Sequence, residues 1–180
     1  MPLVILESAD GGGKTTLANR LLKGTGKPTL LVKRSGPPGD LETLGFMTEW
    51  ISQQARHGLN IIADRHPLIS EAIYAPIVRK VAAPPWTLED VARAMTTTRT
   101  EFVLIYCRTW TESMLAGSQV EEQMKGVHEN YDALVAEYDR WMDYLERAGV
   151  PLIRYDYRKD PVANHMTDYI RTFWENARDR

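Results

Sequence analysis

The sequence predicts an α/β fold, with a five-stranded parallel sheet between two layers of helices (α/β/α). Three observations predict it. Short, nearly continuous apolar runs alternate with longer stretches of helical period, the pattern of repeated strand and helix units. The apolar runs lack the in-and-out alternation of half-exposed strands, as expected where helices cover both faces. The runs close on charged residues, Glu7, Lys33-Arg34, Asp64-Arg65 and Arg108. In a parallel sheet these gather on one rim, beyond the carboxyl ends of the strands, where ligands bind.

Each element follows from local pattern. Leu3 to Leu6 is the first strand and ends at Glu7. Lys14 to Lys23 is a helix with Leu17, Leu21 and Leu22 on one face. Thr29 to Val32 is the second strand. Ser35-Gly36-Pro37-Pro38-Gly39-Asp40 has loop composition, and Asp40 can cap a helix over about 40–57. Asn60 to Ala63 is the third strand, followed by helices over about 69–81 and 87–97. Glu101 to Cys107 is the fourth strand. In a helix over about 128–148, Tyr131, Leu134, Tyr138, Trp141 and Leu145 recur at the spacing of a core face. Pro151 to Arg154 is the fifth strand. The last helix, over about 161–177, carries Val162, Met166, Tyr169, Ile170 and Phe173 at similar spacing.

Composition sets further bounds. A chain of 180 residues, 43% hydrophobic and 26% charged, suits one domain over 1–180 and argues against a disordered or fibrous protein. The net charge of −2 excludes a uniformly basic nucleic-acid coat protein. A local basic face is allowed, since Lys14, Arg20, Lys23, Lys27, Lys33 and Arg34 face only Glu7 and Asp10 in the first 34 residues. The single cysteine, Cys107, cannot form an internal disulfide; it fits a reducing cytosol and reads as an inert buried thiol. No run approaches the roughly 18–20 apolar residues of a membrane span, and the N-terminus lacks the basic start of a signal peptide. A cytoplasmic location is expected. Cys107 and the four histidines show no metal-ligand spacing, and Arg79-Lys80 and Arg154 read as solvated.

The chemistry starts after the first strand. Ser8-Ala9-Asp10-Gly11-Gly12-Gly13-Lys14-Thr15-Thr16 matches the phosphate-binding P-loop G-x-x-x-x-G-K-[ST], with Ser8 in place of the leading glycine. Gly11, Gly12 and Gly13 let backbone N–H groups turn toward a polyphosphate, and the helix start adds its positive dipole end. Lys14 would neutralise the β- and γ-phosphates, Thr15 would hold Mg²⁺, and Thr16 would meet the α-phosphate. Asp64 would face the metal as a Walker-B acid, and Arg65 could hold a phosphate bidentately. The fold expected is therefore a P-loop NTPase, and the cofactors ATP and Mg²⁺.

Several segments carry a family resemblance. Glu7-Ser8-Ala9-Asp10-Gly11-Gly12-Gly13-Lys14-Thr15-Thr16 resembles the E-G-x-D-G-x-G-K-T-T of thymidylate kinases. Arg34-Ser35-Gly36-Pro37 sits where that family has R-E-P-G, and Asp64-Arg65-His66 looks like its D-R-Y. The run from Asp64 to Tyr74, with Ile105-Tyr106-Cys107-Arg108 and Glu121 to Asn130, is similar to thymidylate-kinase-like proteins of bacteriophages. The resemblance implies a kinase, with the loop from Asp10 to Thr16 on ATP. It further implies Asp10 at the sugar 3′-hydroxyl of an acceptor nucleotide, Arg65 and Arg34 on the acceptor phosphate, and Ser70 and Tyr74 lining the acceptor pocket. A helical lid over about 111–126 and a homodimer through the long helices are also implied, as is the host cytoplasm if the protein is phage-encoded.

Two departures bear on the acceptor. Where the family reads A-Y-Q, this chain reads Ala72-Ile73-Tyr74-Ala75, without the glutamine. The lid segment has no arginine, so Arg108 is the candidate to replace it. The first expectation is a deoxynucleoside monophosphate kinase of the dTMP type. The alternative is a phage DNA-modification kinase that phosphorylates 5-hydroxymethyluracil bases in DNA, for which Glu71 or Asp64 would be the general base and the DNA a partner. A third expectation is a non-catalytic nucleotide-binding module.

Overall fold

The computed structural model describes residues 3–26, 28–33, 49–51, 53–54, 57, 59–98, 100–119 and 125–177. Five strands, β1 (Leu3–Glu7), β2 (Thr29–Lys33), β3 (Asn60–Asp64), β4 (Phe102–Cys107) and β5 (Leu152–Tyr155), form one sheet in the order β2-β3-β1-β4-β5. All four pairings are parallel. Parallel neighbours need crossover connections. Among the described residues these include α1 (Lys14–Gly24), α2 (Pro67–Ile77), α3 (Leu88–Thr97), α4 (Thr111–Ser118) and α5 (Tyr131–Arg147), with α6 (Asn164–Asn176) closing the chain. The three-layer P-loop NTPase architecture is as expected.

Strand alternation splits the core in two. Leu3, Ile5, Ile61, Ala63, Leu104 and Tyr106 pack on one face against α2, α3 and α5. Val4, Leu6, Ile62, Val103, Ile105 and Cys107 pack on the other against Leu17 and Leu21 of α1 and Ile170 and Trp174 of α6. The central strand β1 is wholly buried. Its last residue, Glu7, has the parity of Leu3 and Ile5 and so lies on the α2–α5 face. β1 sits where the strand order reverses, so the loop after it opens into the crevice of the sheet.

The boundaries differ from expectation where local chemistry decides them. Helix α2 starts at Pro67, two residues early, because proline suits the first helical position. It ends at Ile77; the Val78 and Arg79 N–H groups both bond to the Tyr74 carbonyl, and Lys80 turns left-handed at φ 56°. Helix α3 opens on a reciprocal capping box between Thr87 and Asp90. The helix expected from 128 begins as a 3₁₀ turn, His128–Asn130, before α5. Helix α6 starts at Asn164 because the Asp160 carboxylate takes the Asn164 N–H, at 3.1 Å, and keeps Pro161 and Val162 outside. Helix α4 lies at the start of the expected lid. Residues 120–124 of that lid, most of the helix expected over 40–57, and Arg34 lie outside the described residues. No described helix is long and apolar enough to cross a membrane.

Candidate active site

The loop from Ser8 to Gly13 joins β1 to α1. Two glycines in it are fixed by close approach. At Gly11, with φ +78°, a Cβ would fall 1.9 Å from the Met114 carbonyl oxygen of α4. At Gly12 a Cβ would fall 1.7 Å from Ser8 Oγ. Ser8 is fully buried and donates its hydroxyl to the Ala9 carbonyl at 2.7 Å. The serine that replaces the motif's first glycine thus occupies the space beside Gly12.

Lys14 opens α1 and is buried. Its Nζ donates to the carbonyls of Ser8, at 3.2 Å, and Ala9, at 3.4 Å. Burial, and then the nearby Arg65 charge, lower its pKa. Thr15 and Thr16 are exposed at the cleft. Asp64 ends β3, in register with Leu6 of β1. Its Oδ1 is buried and has no hydrogen-bond partner among the described residues. An orphaned carboxylate oxygen in the same cleft as the Thr15 hydroxyl fits Mg²⁺, which takes one or two protein ligands and completes its shell with phosphate and water.

Arg65 follows directly. Its backbone has φ 80°, uncommon for a residue with a side chain, and its N–H bonds to the Leu6 carbonyl at 2.9 Å. The partly buried guanidinium lies against two aromatic rings, 4.8 Å from the centroid of Tyr74 and 6.0 Å from that of Tyr138. Nη1 donates to the Ser8 carbonyl and the Tyr138 hydroxyl, each at 2.6 Å. Nη2 donates to Asp10 Oδ1 at 2.6 Å. The other Asp10 oxygen accepts from the Tyr74 hydroxyl at 2.8 Å, and the Asp10 carbonyl accepts from the Tyr131 hydroxyl. Burial pushes the Asp10 carboxyl up, but Arg65, Lys14 and Tyr74 together pull it below its usual value. Glu7 lies beneath. Burial raises its pKa to about 7, against the pull of Arg65, the His66 N–H and Lys14. Its Oε1 accepts the His66 N–H at 2.5 Å.

A cleft of about 550 Å³ joins these groups. Asp10, Gly11, Gly13, Lys14, Thr15, Thr16, Asp64 and Arg65 line it, together with Arg20, Gly117, Tyr155, Tyr157 and Pro161. The structure thus gathers the loop, Asp64 and Arg65 in one cleft, with Tyr74 tied to it through Asp10. Ser70 is buried on α2 beside Tyr138. Glu71 is ion-paired with Arg79 along α2. Arg108 turns to α5, where Nε donates to Asp139 Oδ1 at 3.0 Å and Nη2 to Oδ2 at 3.1 Å. Arg108 lines a neighbouring groove with Trp110 and Arg154.

Sequence reasoning missed the part of α5. Tyr131 and Tyr138 do bury their rings in the core, but their hydroxyls reach Asp10 and Arg65. The available signal was the residue type: tyrosine at two buried positions seven apart puts two hydroxyls on one helix face. Asp139, the partner of Arg108 and Tyr106, was missed too.

No protein-family model and no curated protein matches this sequence. Solved structures do match it. YorR from Bacillus subtilis, in complex with phosphorylated GDP, superposes with a TM-score of 0.66 at 18% identity, over 98% of this chain and 95% of that one. Deoxyadenosine kinase from M. mycoides with bound dATP gives 0.57 at 15% identity, over 93% and 98%. The same enzyme with bound dCTP gives 0.59 at 15%, over 94% and 98%. At these identities the likeness establishes a shared fold along nearly the whole chain.

Proposed function

We propose that this chain is an ATP-dependent phosphotransferase acting on a deoxynucleotide, most simply a kinase for a pyrimidine deoxynucleoside monophosphate such as dTMP. The observation that carries this reading is the meeting of the Lys14 cradle and the Asp10–Arg65 pair in one cleft. Nucleotides bound by neighbours of the same fold, dATP and dCTP in the deoxyadenosine kinase, support it.

The cradle would hold the polyphosphate of ATP on loop N–H groups and Lys14. Thr15 and Asp64 would hold Mg²⁺, which when bound neutralises charge on the β- and γ-oxygens. An acceptor phosphate oxygen attacks the γ-phosphorus, and the bond from that phosphorus to the β-bridging oxygen breaks, releasing ADP. Lys14 and Arg65 would stabilise the negative charge spread over the transferring group. A monophosphate is already ionised and needs no general base. Asp10, with its carboxylate held by Arg65 and Tyr74, would place the acceptor sugar.

One observation favours a second acceptor. The position after Tyr74 is Ala75, buried and without a polar group to read a pyrimidine edge. A hydroxymethylated pyrimidine in DNA is therefore the alternative. Phosphate transfer from γ-labelled ATP separates the two. Deoxynucleoside monophosphates, including dTMP and hydroxymethyl-dUMP, form one acceptor set; duplex DNA with and without 5-hydroxymethyluracil forms the other. Label in a diphosphate is the expected result. Label only in the modified DNA would replace the first acceptor by the second, and tight ATP binding without transfer to any acceptor would overturn both.

A further inference from the structure

We infer that Tyr138 of α5, assisted by Tyr131, is a positioning residue that sets the plane of the Arg65 guanidinium and the place of Asp10 in the cleft. The inference rests on the phosphotransferase reading for its kinetic consequence and on geometry for its structural one.

A guanidinium has five N–H donors in a rigid fork. Three are accounted for: Nη1 to the Ser8 carbonyl and the Tyr138 hydroxyl, and Nη2 to Asp10 Oδ1. Two are left for a ligand in the cleft that Arg65 lines. Their aim depends on the rotation of the fork. Ser8 and Asp10 belong to the same loop as the cradle and move with it. Tyr138 comes from another element, α5, and its ring has little freedom. It is fully buried, stacked at 6.3 Å against Tyr106 and edge-on to Tyr74 at 6.2 Å. Ser70 and Glu7 also surround its hydroxyl. Two helical turns earlier, Tyr131 donates to the main-chain carbonyl of Asp10. The i, i+7 spacing brings both hydroxyls to one helix face. α5 therefore fastens both members of the acceptor pair, one through its side chain and one through its backbone. These rings fill the core as any apolar side chain would; phenylalanine keeps the rings and their packing, and removes the hydroxyls and with them the hydrogen bonds to Arg65 and Asp10.

The test compares Tyr138→Phe, Tyr131→Phe and Tyr144→Phe with the unaltered protein. Tyr144 lies on the same helix but not among the groups that hold Arg65 or Asp10. Acceptor kcat/KM should fall roughly ten- to hundredfold in Tyr138→Phe and less in Tyr131→Phe, as for loss of a hydrogen bond to a charged group. The KM for ATP should stay near that of Tyr144→Phe. Nitrogen-15 spectra give a readout independent of turnover. The Arg65 Nη protons, identified by their absence in Arg65→Lys, should be separately resolved and slow to exchange in the unaltered protein and averaged in Tyr138→Phe. Unchanged kinetics with unchanged guanidinium signals would overturn the inference, as would equal losses toward both substrates. If the unaltered protein transfers phosphate to no acceptor, the phosphotransferase reading falls, and the guanidinium signals alone decide the inference.

Discussion

The two halves of the cleft are built differently. The phosphate cradle is main chain: it is built of consecutive residues from Ser8 to Lys14, and even the Lys14 amine is tethered to backbone carbonyls. The acceptor corner is mostly side chain: Asp10, Arg65, Tyr74, Tyr131 and Tyr138 come from four segments and meet through hydroxyl, carboxylate and guanidinium groups, with one bond to the Asp10 main-chain carbonyl. A main-chain site depends on space and tolerates substitutions that leave the space alone. A side-chain site depends on each partner, because a buried charge left unpaired is costly. On the proposed reading, the first would bind a group common to all nucleoside triphosphates. The second can change with its acceptor.

The comparison is tested most strongly at its extremes. Lys14→Ala removes the one cradle side chain that meets the transferring charge; kcat should fall by roughly 10³ or more, with little loss of stability, as read by single-turnover transfer and thermal melting. Arg65→Lys keeps the charge and loses the fork. It should lower acceptor kcat/KM by about 10² and also lower stability by about 2 kcal/mol, since Asp10 loses its partner in a buried setting. A stable Arg65→Lys protein would break the distinction between the two halves. Gly12→Ala should weaken ATP binding by roughly tenfold, because its Cβ meets Ser8 Oγ. Adding Ser8→Gly should restore part of it; titration of both variants with ATP shows whether space alone is at stake.

A further effect, on stability alone, concerns Glu7. In the fold this carboxyl keeps its proton up to about pH 7, whereas once the chain unfolds it ionises at 4.5. The folded state holds more protons between these values, so stability is greatest at the acid end and falls as pH rises through the window. The loss is on the order of 3 kcal/mol by pH values above 7. Asp10 shifts downward and acts below this window. Urea midpoints measured from about pH 5 to 8 should slope for the unaltered protein and flatten for Glu7→Gln.

What was legible in the sequence follows the same division. The strands, the cradle and Asp64-Arg65 are contiguous signals, so apolar runs and a spaced motif reveal them. The acceptor corner joins residues as far apart as Asp10 and Tyr131, which no local pattern links. Apolar periodicity weighs the ring of Tyr138 and is blind to its hydroxyl, so α5 reads as core alone. Glu71 and Arg108 look available as isolated charges, yet the fold gives them Arg79 and Asp139. Helix α4 was expected only through the resemblance, as part of a helical lid, because Thr111 to Ser118 buries only Met114 and Ser118 and carries no clear apolar stripe.

Helix α4 also meets the phosphate loop backbone to backbone, with Gly117 seated against Gly11. No side chain lies between them to absorb a displacement by changing rotamer. Eight residues span about 12 Å, and the other end of the helix begins at Trp110, an indole 65% exposed and stacked 3.8 Å beneath the Arg158 guanidinium. A small shift of the loop on filling would thus be carried, as by a lever, to a fluorophore at the surface, and a change in tryptophan emission on adding ATP is the expected optical signal of occupancy.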